Sequence, residues 1–473
     1  MDYDCDVLVA GMGPVGAALC ALLAREGVSA IAVEKDTGVY PLPRAAHFDH
    51  EIMRLFQKLG IAAEMQAASQ PAAAYEFRNA AGEILMRYDQ RLDSPSGWAP
   101  GYMFHQPSLE HALRRLAAES PLIEARLGYT MTAFTQDADG VTATVEGPDG
   151  ERTIRARWMV ACDGAKSAVR DALGIGLSDY GFDEPWLVID AVVSDVSRLP
   201  RANLQICDPA RPTTCLVMSQ GRHRWEFMLL PGEQPEDLLD DAVIRDLLKP
   251  WNCEDVVEIE RKAVYRFHGR VADRWRAGHV LLAGDAAHQT PPFAGQGLCS
   301  GLRDVDNLAW KLAAVIRRGA DPALLDSYQS EREPPVRSVI ELAIAMGRVV
   351  CISDPQAAAM RDAGMLAQRA AGQAPPPIAL PRLGPGVMLD GAGGEYFPQP
   401  RAGDVRLDDV LGEAPWLISR ASLADGPLAA FADPLSAWFD SRDAEAVLVR
   451  PDRYVFGTGT PEALEKGWAE RVA

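Results

Sequence analysis

Two aspartates stand where an apolar run gives way to glycine. Val280-Leu281-Leu282-Ala283 leads through Gly284 to Asp285, and Trp158-Met159-Val160-Ala161-Cys162 leads to Asp163-Gly164. A carboxylate at the carboxyl end of a buried strand is an acceptor for the hydroxyls of a ligand lying across the sheet edge. Beyond Asp285, Pro291 and Pro292 bend the chain, Gly295 and Gly297 supply a backbone that a flat ring can approach closely, and a helix begins near Leu298. The amide-rich N-terminus of such a helix carries roughly half a positive charge and suits a ring that becomes anionic on reduction. A strand, a capping aspartate and a tight loop with no ligand would read the same way, so the rest of the chain must decide.

A third glycine site comes first in the sequence. Gly11-Met12-Gly13-Pro14-Val15-Gly16 lies between an apolar run at 7–10 and an Ala/Leu-rich helix reaching Arg25, and a second apolar run, 29–33, ends at Glu34 with Lys35 next. In that order G-x-G-x-x-G is a dinucleotide fingerprint, and Glu34 is placed to accept the ribose hydroxyls of an AMP half. In the turn-rich loop that follows, Arg44 either meets a phosphate or pairs at the surface. His47 and Asp49 are titratable groups of the same loop, suited to proton transfer or, more plainly, to packing and helix capping. Gln106, just before a helix capped by Ser108, has a donor and an acceptor to offer a cofactor. Arg211 follows an Asp-Pro turn and would either hold a substrate carboxylate or pair with Asp208.

These groups act together only if the elements carrying them converge. The strand ends at Gly11, Asp163 and Asp285 meet only if their strands share one sheet. Residues 74–88 read as a β excursion, 130–156 as a β-meander, and 187–267 as successive β runs that could wall off a reacting ring from water. Past Lys311 the pattern is helical to about Arg348, the Ala/Gly/Pro-rich stretch 370–386 reads as a linker, and the remainder as a small accessory domain with no evident chemistry.

A chain of 473 residues exceeds one hydrophobic core, so two or three domains are expected. The net charge of −19 argues against nucleic acid or an anionic membrane as partner, since both require clustered Lys and Arg. Eight scattered cysteines form no Cys-x-x-Cys pair and no metal-ligand cluster, so no metal is expected. The acidic start runs straight into a strand, and no apolar run approaches the ~20 residues of a membrane span. A cytoplasmic protein is expected.

The three glycine sites, in this order, resemble the FAD-dependent aromatic hydroxylases, the class A flavoprotein monooxygenases. Gly11, Gly13, Gly16 and Glu34 match that family's AMP site, Cys162-Asp163-Gly164 to Arg170 its DG motif, and 278–292 its GD motif, with the likeness running on through Gly301 to Leu312. Trp225-Glu226-Phe227-Met228, Pro231-Gly232-Glu233 and Val449-Arg450-Pro451-Asp452-Arg453 are most similar to the 3-(3-hydroxyphenyl)propionate hydroxylases. The resemblance implies an α/β fold: a Rossmann-like FAD-binding domain (1–180 and 270–350), an inserted antiparallel β-sheet substrate domain (181–269), a helix and linker (351–400), and a truncated thioredoxin-like domain (401–473). It implies that NADH or NADPH reduces FAD, that O2 adds to give a flavin hydroperoxide, and that one hydroxyl passes to a small phenolic substrate, in a chain that could pair as a homodimer. It assigns Lys35, Arg44, Gln106, Gly284, Pro292, Gly295, Gly297 and Leu298 to the cofactor beside the glycine-motif residues, sets the His47–Asp49 loop next to the flavin as the catalytic segment, and leaves Arg211 to a phenolic acid. A flavin halogenase, another flavin oxidoreductase or a flavin-binding sensor are the alternatives; no Trp-x-Trp-x-Ile-Pro motif and no signalling module accompany the sites.

Overall fold

The computed structural model describes residues 2–72, 74–89, 94–375, 378 and 380–473. In chain order the elements that frame the site are β1 (Cys5–Ala10), α1 (Pro14–Arg25), β2 (Ala30–Glu34), β3 (His47–Asp49), α2 (His50–Leu59), β4 (Tyr75–Asn79), β5 (Gly101–Phe104), α3 (Gln106–Ala118) and β6 (Ile123–Leu127). They continue with β7 (Gly150–Ala161), β8 (Leu177–Val193), β9 (Asn203–Cys207), β10 (Thr213–Val217), β11 (Arg222–Met228), β12 (Val257–Ala272), β13 (Val280–Leu282), α4 (Gly297–Arg318) and α5 (Ser327–Val350).

The first sheet has the order β13-β7-β1-β2-β6, every pairing parallel, with Arg276–Ala277 added at the β13 edge. Its central strands are covered on both faces, which is why they read as unbroken apolar runs: Val7, Leu8, Val9, Val160 and Leu281 are all fully buried. Each such side chain contributes roughly 1.5–3 kcal/mol by leaving water. Register brings the sites together. Ala10 pairs with Ala161, and Ala161 with Leu282, so the chain turns off all three strands at one level. The strand β6 escaped the sequence reading because its residues are only half-covered and carry Glu124 and Arg126.

The second sheet runs β12-β8-β11-β10-β9-β4, extended by His288–Gln289 at one edge and Ile84–Tyr88 at the other. One face, with Leu187, Ile189, Leu204, Trp225 and Phe227, packs on Leu238, Ile244 and Leu248 of the short helices outside it. The alternate residues Trp186, Cys207 and Met228, together with Phe77, join the core of the first sheet. The β excursion at 74–88 therefore belongs to this sheet, and the sheet runs from Leu177 to Ala272 rather than within 181–269.

The helical stretch expected to reach about Arg348 consists of two helices, the second ending at Val350. Gly319 adopts φ +74° at the end of α4, Asp321 caps a 3-10 turn over Pro322–Asp326, and α5 starts afresh at Ser327. The stretch expected to be a linker is docked along its second half: the Val387 amide donates to Glu331 at 2.6 Å, and Gly384 and Gly386 lie against Ser330 and Glu331 of α5. Pro376, Pro377 and Ala379 of that stretch lie outside the described residues.

The C-terminal part has its own core around Phe397, Trp416, Leu435 and Phe439, and a three-stranded antiparallel sheet of Trp416–Ser419, Ala446–Val449 and Val455–Gly459. It meets the first domain through buried charge. Arg450 is bidentate to both Glu331 of α5 and Asp452, and Lys311 of α4 donates to the same Glu331 at 2.7 Å.

Candidate active site

At the end of β1, Gly11 takes φ +93°, and a Cβ there would come within 2.5 Å of the Cys162 carbonyl oxygen. Gly16 abuts the Gly11 carbonyl, so no side chain fits between helix α1 and the turn. Glu34 closes the loop from the side: one carboxylate oxygen accepts the Met12 amide at 2.8 Å and the other the Asp36 amide at 3.1 Å. Lys35 is exposed beside it. A residue the motif does not announce, Arg114 of α3, donates to the Met12 carbonyl at 3.0 Å while its Nη1 is buried without a partner among the described residues.

Asp163 accepts the Val169 amide at 3.2 Å through one oxygen, while the other is buried and unpartnered among the described residues. Burial raises its pKa above the usual carboxylate range, against the pull of Ser167 and the Val169 amide. Asp285 is open to solvent yet crowded by protein, and this crowding raises its pKa, with His288 and Arg44 opposing. Its carboxylate takes no hydrogen bond among the described residues. The turn before it is held from below: Asp304 of α4 accepts the Gly284 amide at 3.2 Å, His288 at 2.6 Å and Arg332 at 3.0 Å. The buried polar residues of α4 were the signal for this knot, since a helix buries a carboxylate only where cations and amides meet it.

His47 sits between the two glycine-bearing segments. Its ring touches Gly101 of β5, and its Nδ1 lies 3.2 Å from the Gly295 carbonyl oxygen. Burial lowers its pKa, Asp49 and the Gly295 carbonyl resist, and Arg303 adds to the lowering. The ring is therefore neutral near pH 7, with Nδ1–H donating to Gly295 and Nε2 left as the acceptor.

Asp49 was expected to be catalytic, and the geometry gives it other work. Its Oδ1 caps α2 by accepting the amides of Glu51 and Ile52 at 3.0 and 3.2 Å, and its Oδ2 accepts Arg303 at 2.6 Å. Burial would raise its pKa, but Arg303, with His50 and His47, holds the carboxyl well below the usual range. Arg303 also donates to Glu51 at 2.6 Å, which ties α2 to α4 beside His47.

Within the chain Gln106 uses its oxygen twice and one of its two N–H donors. Its oxygen accepts the Ala45 and Arg44 amides at 2.6 and 3.2 Å, and its nitrogen donates to Glu110 at 2.7 Å. It shapes the loop that carries Arg44, whose exposed guanidinium lies 5.3 Å from the Tyr40 ring. Arg211 pairs with neither a free space nor Asp208: both outer nitrogens donate to Glu233 at 2.6 Å, and Nη1 also to the Met228 carbonyl at 3.0 Å.

The loop after Asp285 is fixed to the second sheet. Pro292 opens a 3-10 turn whose Phe293 ring stands edge-on to Trp186 at 5.7 Å, and the Tyr75 hydroxyl donates to the Phe293 carbonyl at 2.9 Å. Gly295 follows at φ +63°, a Cβ on Gly297 would find its nearest neighbour in Thr290 at 3.9 Å, and Leu298 is half-buried against the core.

The residues present fit FAD on these observations: Gly11 and Gly16 where no side chain fits and an open Gly13 between them, and, among the described residues, the unpartnered Asp163 oxygen and Arg114 nitrogen and Asp285 without a partner at the same sheet edge. The sequence matches the FAD binding domain family over residues 4–343 and the HcaD C-terminal domain family over 428–472. The chain belongs to the FAD-dependent aromatic hydroxylases. It is 38% identical to a probable NADH-specific resorcinol 4-hydroxylase of Rhodococcus jostii (strain RHA1), covering 99% of this chain and 94% of that protein. It is 36% identical to a 3-(3-hydroxy-phenyl)propionate/3-hydroxycinnamic acid hydroxylase of Comamonas testosteroni, covering 87% of this chain and 71% of that one. Among solved structures, aklavinone-11 hydroxylase with FAD and aklavinone superposes with a TM-score of 0.81 at 27% identity, covering 100% of this chain and 99% of that one. The chain is an FAD-dependent monooxygenase acting on a phenolic substrate with NAD(P)H and O2.

Proposed function

We propose that this enzyme hydroxylates a neutral phenol of the resorcinol type, with NADH as reductant and His47 as the proton acceptor for the phenol. One observation carries the substrate class. The guanidinium groups of the second sheet are largely engaged: Arg224 on Asp190 at 2.7 Å and on the Arg44 carbonyl at 2.7 Å, Arg261 through Nη1 on the Pro43 carbonyl and on Asp190 at 3.4 Å with its Nη2 buried and unpartnered among the described residues, and Arg211 on Glu233. A substrate carboxylate would find a single open N–H there, on Arg261, and no guanidinium free for bidentate pairing. The Rhodococcus relative, named for resorcinol and NADH, supports the same reading.

When bound, FAD supplies the redox chemistry that carries electrons from NADH to O2; one oxygen atom enters the ring and the other leaves as water. The chain's own residues contribute the rest. Glu34 and the Gly11–Gly16 loop receive the AMP half, Asp163 and Asp285 offer acceptors at the sheet edge, and the wall of the second sheet keeps water from the ring. His47, neutral and held by Gly295, takes a proton at Nε2, which raises the electron density of a phenol whose pKa near ~10 would otherwise keep it protonated. A cytoplasmic homodimer is part of the proposal; eight free cysteines support the compartment, and sedimentation measures the assembly.

A second reading, hydroxylation of a phenolic acid, draws on the relatives named for 3-(3-hydroxy-phenyl)propionate. Steady-state turnover of resorcinol and of 3-(3-hydroxyphenyl)propionate, scored by NADH oxidation and product mass, decides between them. Resorcinol with the higher kcat/KM and a product heavier by one oxygen atom is the expected result; the acid preferred, or no oxygen gained, overturns it.

A further inference from the structure

The inward face of the second sheet carries a polar row that the chemistry above does not use. Cross-strand register sets Glu226 of β11 against Thr214 of β10, and Thr214 against Gln205 of β9. Thr214 donates to the Gln205 amide oxygen at 2.7 Å, the Gln205 nitrogen donates to the Tyr75 hydroxyl at 2.8 Å, and Tyr75 donates to the Phe293 carbonyl of the flavin loop at 2.9 Å. Every member of this row is committed except the one at its end. Glu226 is 4% exposed, and among the described residues its carboxylate takes no hydrogen bond. Its nearest cation is Arg224, with Nη1 3.8 Å from Oε1, and that guanidinium is shared among Asp190 and the carbonyls of Pro43 and Arg44.

The side of the sheet on which Glu226 lies follows from its neighbours. Trp225 and Phe227 point into the outer core under the short helices, so Glu226, like Met228, points toward the first sheet and the flavin loop. The donor that satisfies it must come from the cleft between the sheets. Burial pushes its pKa up to about 7, with Arg224 lowering it and Asp190 raising it. The other ionisable groups nearby are Arg261, which also reaches Asp190, and the Tyr75 phenol. A buried acid without a donor is costly, and a substrate hydroxyl is a donor of the right kind.

We propose that Glu226 accepts a hydrogen bond from a hydroxyl of the substrate ring, and that it is the residue by which the sheet wall selects a ring bearing a second hydroxyl. The proposal rests on the phenol-hydroxylase reading and adds the wall-side contact, which lies apart from His47. Loss of a hydrogen bond to a charged acceptor weakens binding by about tenfold or more.

The test measures equilibrium binding of resorcinol and of 3-methoxyphenol to the oxidised FAD-loaded enzyme by the change in flavin absorbance, with no NADH present. Methylation removes the second donor and keeps the ring. Wild-type enzyme is expected to bind resorcinol about tenfold more tightly. Glu226→Gln keeps the size, and should raise the Kd for resorcinol about tenfold while changing that for 3-methoxyphenol by less than about twofold, at unchanged FAD content. An unchanged ratio, or an equal weakening of both ligands, overturns the proposal. Should the variant not retain FAD, the wild type alone decides: its preference for resorcinol must shrink as pH falls through about 7, and a flat ratio overturns the proposal. Failure of the substrate reading looks different, since resorcinol would then bind with the expected preference but yield no product heavier by one oxygen atom.

Discussion

The hydroxyl of Tyr75 donates to the carbonyl oxygen of Phe293 at 2.9 Å and so joins the second sheet to the loop that follows Asp285. It also receives the Gln205 amide at 2.8 Å, so one oxygen serves two elements. Burial raises the Tyr75 pKa well above its ordinary value, with Gln205 opposing, and the group stays protonated and able to donate at any working pH.

Tyr75→Phe should therefore loosen the loop without opening a cavity. Two buried groups lose a partner, at a cost of about 1–3 kcal/mol each at most. The expected outcome is a lower Tm together with more NADH consumed per product formed, because water reaches the reacting ring. Equal coupling of NADH oxidation to product, in a variant of unchanged Tm, would show that the bond matters to neither.

Asp285→Ala and Asp285→Asn probe the sheet edge. A carboxylate with no partner among the described residues is expected to be worth about tenfold or more in FAD affinity, and Asn should recover part of it. Flavin retention on dialysis and FAD titration of the apoprotein measure this. The same flavin affinity in all three proteins would remove Asp285 from the cofactor contacts.

Much of this site was legible in the sequence because its backbone needs are strict. Gly11 and Gly16 stand where no side chain fits, and Val280 to Leu282 is apolar because both faces are covered. The register Ala10–Ala161–Leu282 was not legible, since parallel pairing between strands 151 and 121 residues apart leaves no local signal. Nor could spacing tell a ligand contact from an internal one. Gln106 and Asp49 have the right types and positions, yet their oxygens already accept from the Arg44–Ala45 amides and from Arg303. Arg211 found Glu233, twenty-two residues on, across the β10–β11 hairpin, a pairing that charge pattern alone does not reveal.

The buried ions between the domains give a stability prediction. Arg450 is fully buried and bidentate to both Glu331 and Asp452, and these partners hold its pKa above the ordinary arginine value against burial. Arg450→Met keeps the bulk but takes the cation from Asp452, which among the described residues keeps only Asn307, and leaves Glu331 to Lys311, Asn307 and the Val387 amide, at a cost of about 3 kcal/mol. Limited proteolysis should then cleave ahead of the C-terminal sheet, and Tm should fall. Full protease resistance at the parent Tm would mean that the apolar contacts suffice to hold the C-terminal part.

His47 supplies the last test, and its sign follows from its surroundings. Burial is the largest influence and lowers the pKa; Asp49 and the Gly295 carbonyl resist, and Arg303 reinforces the lowering. A histidine whose folded pKa lies below the unfolded value of about 6.5 stabilises the fold fully only above that value, and loses the contribution as pH falls toward the folded pKa. If neutral His47 takes the phenol proton, the acid limb of hydroxylation must lie below pH ~6.5, and it must vanish in His47→Gln. The amide of Gln can still donate to Gly295, so the loop stays in place while the proton acceptor is gone. Reduction of FAD by NADH should survive, and single-turnover hydroxylation should slow by about 10²-fold, the lower end of general-base help. Arg303→Met should move the limb the other way from simple loss, to higher pH, because one cation is removed and Asp49 turns its full charge on the ring. Hydroxylation by His47→Gln at the parent rate, with the same acid limb, would leave His47 as a packed residue of the loop and nothing more.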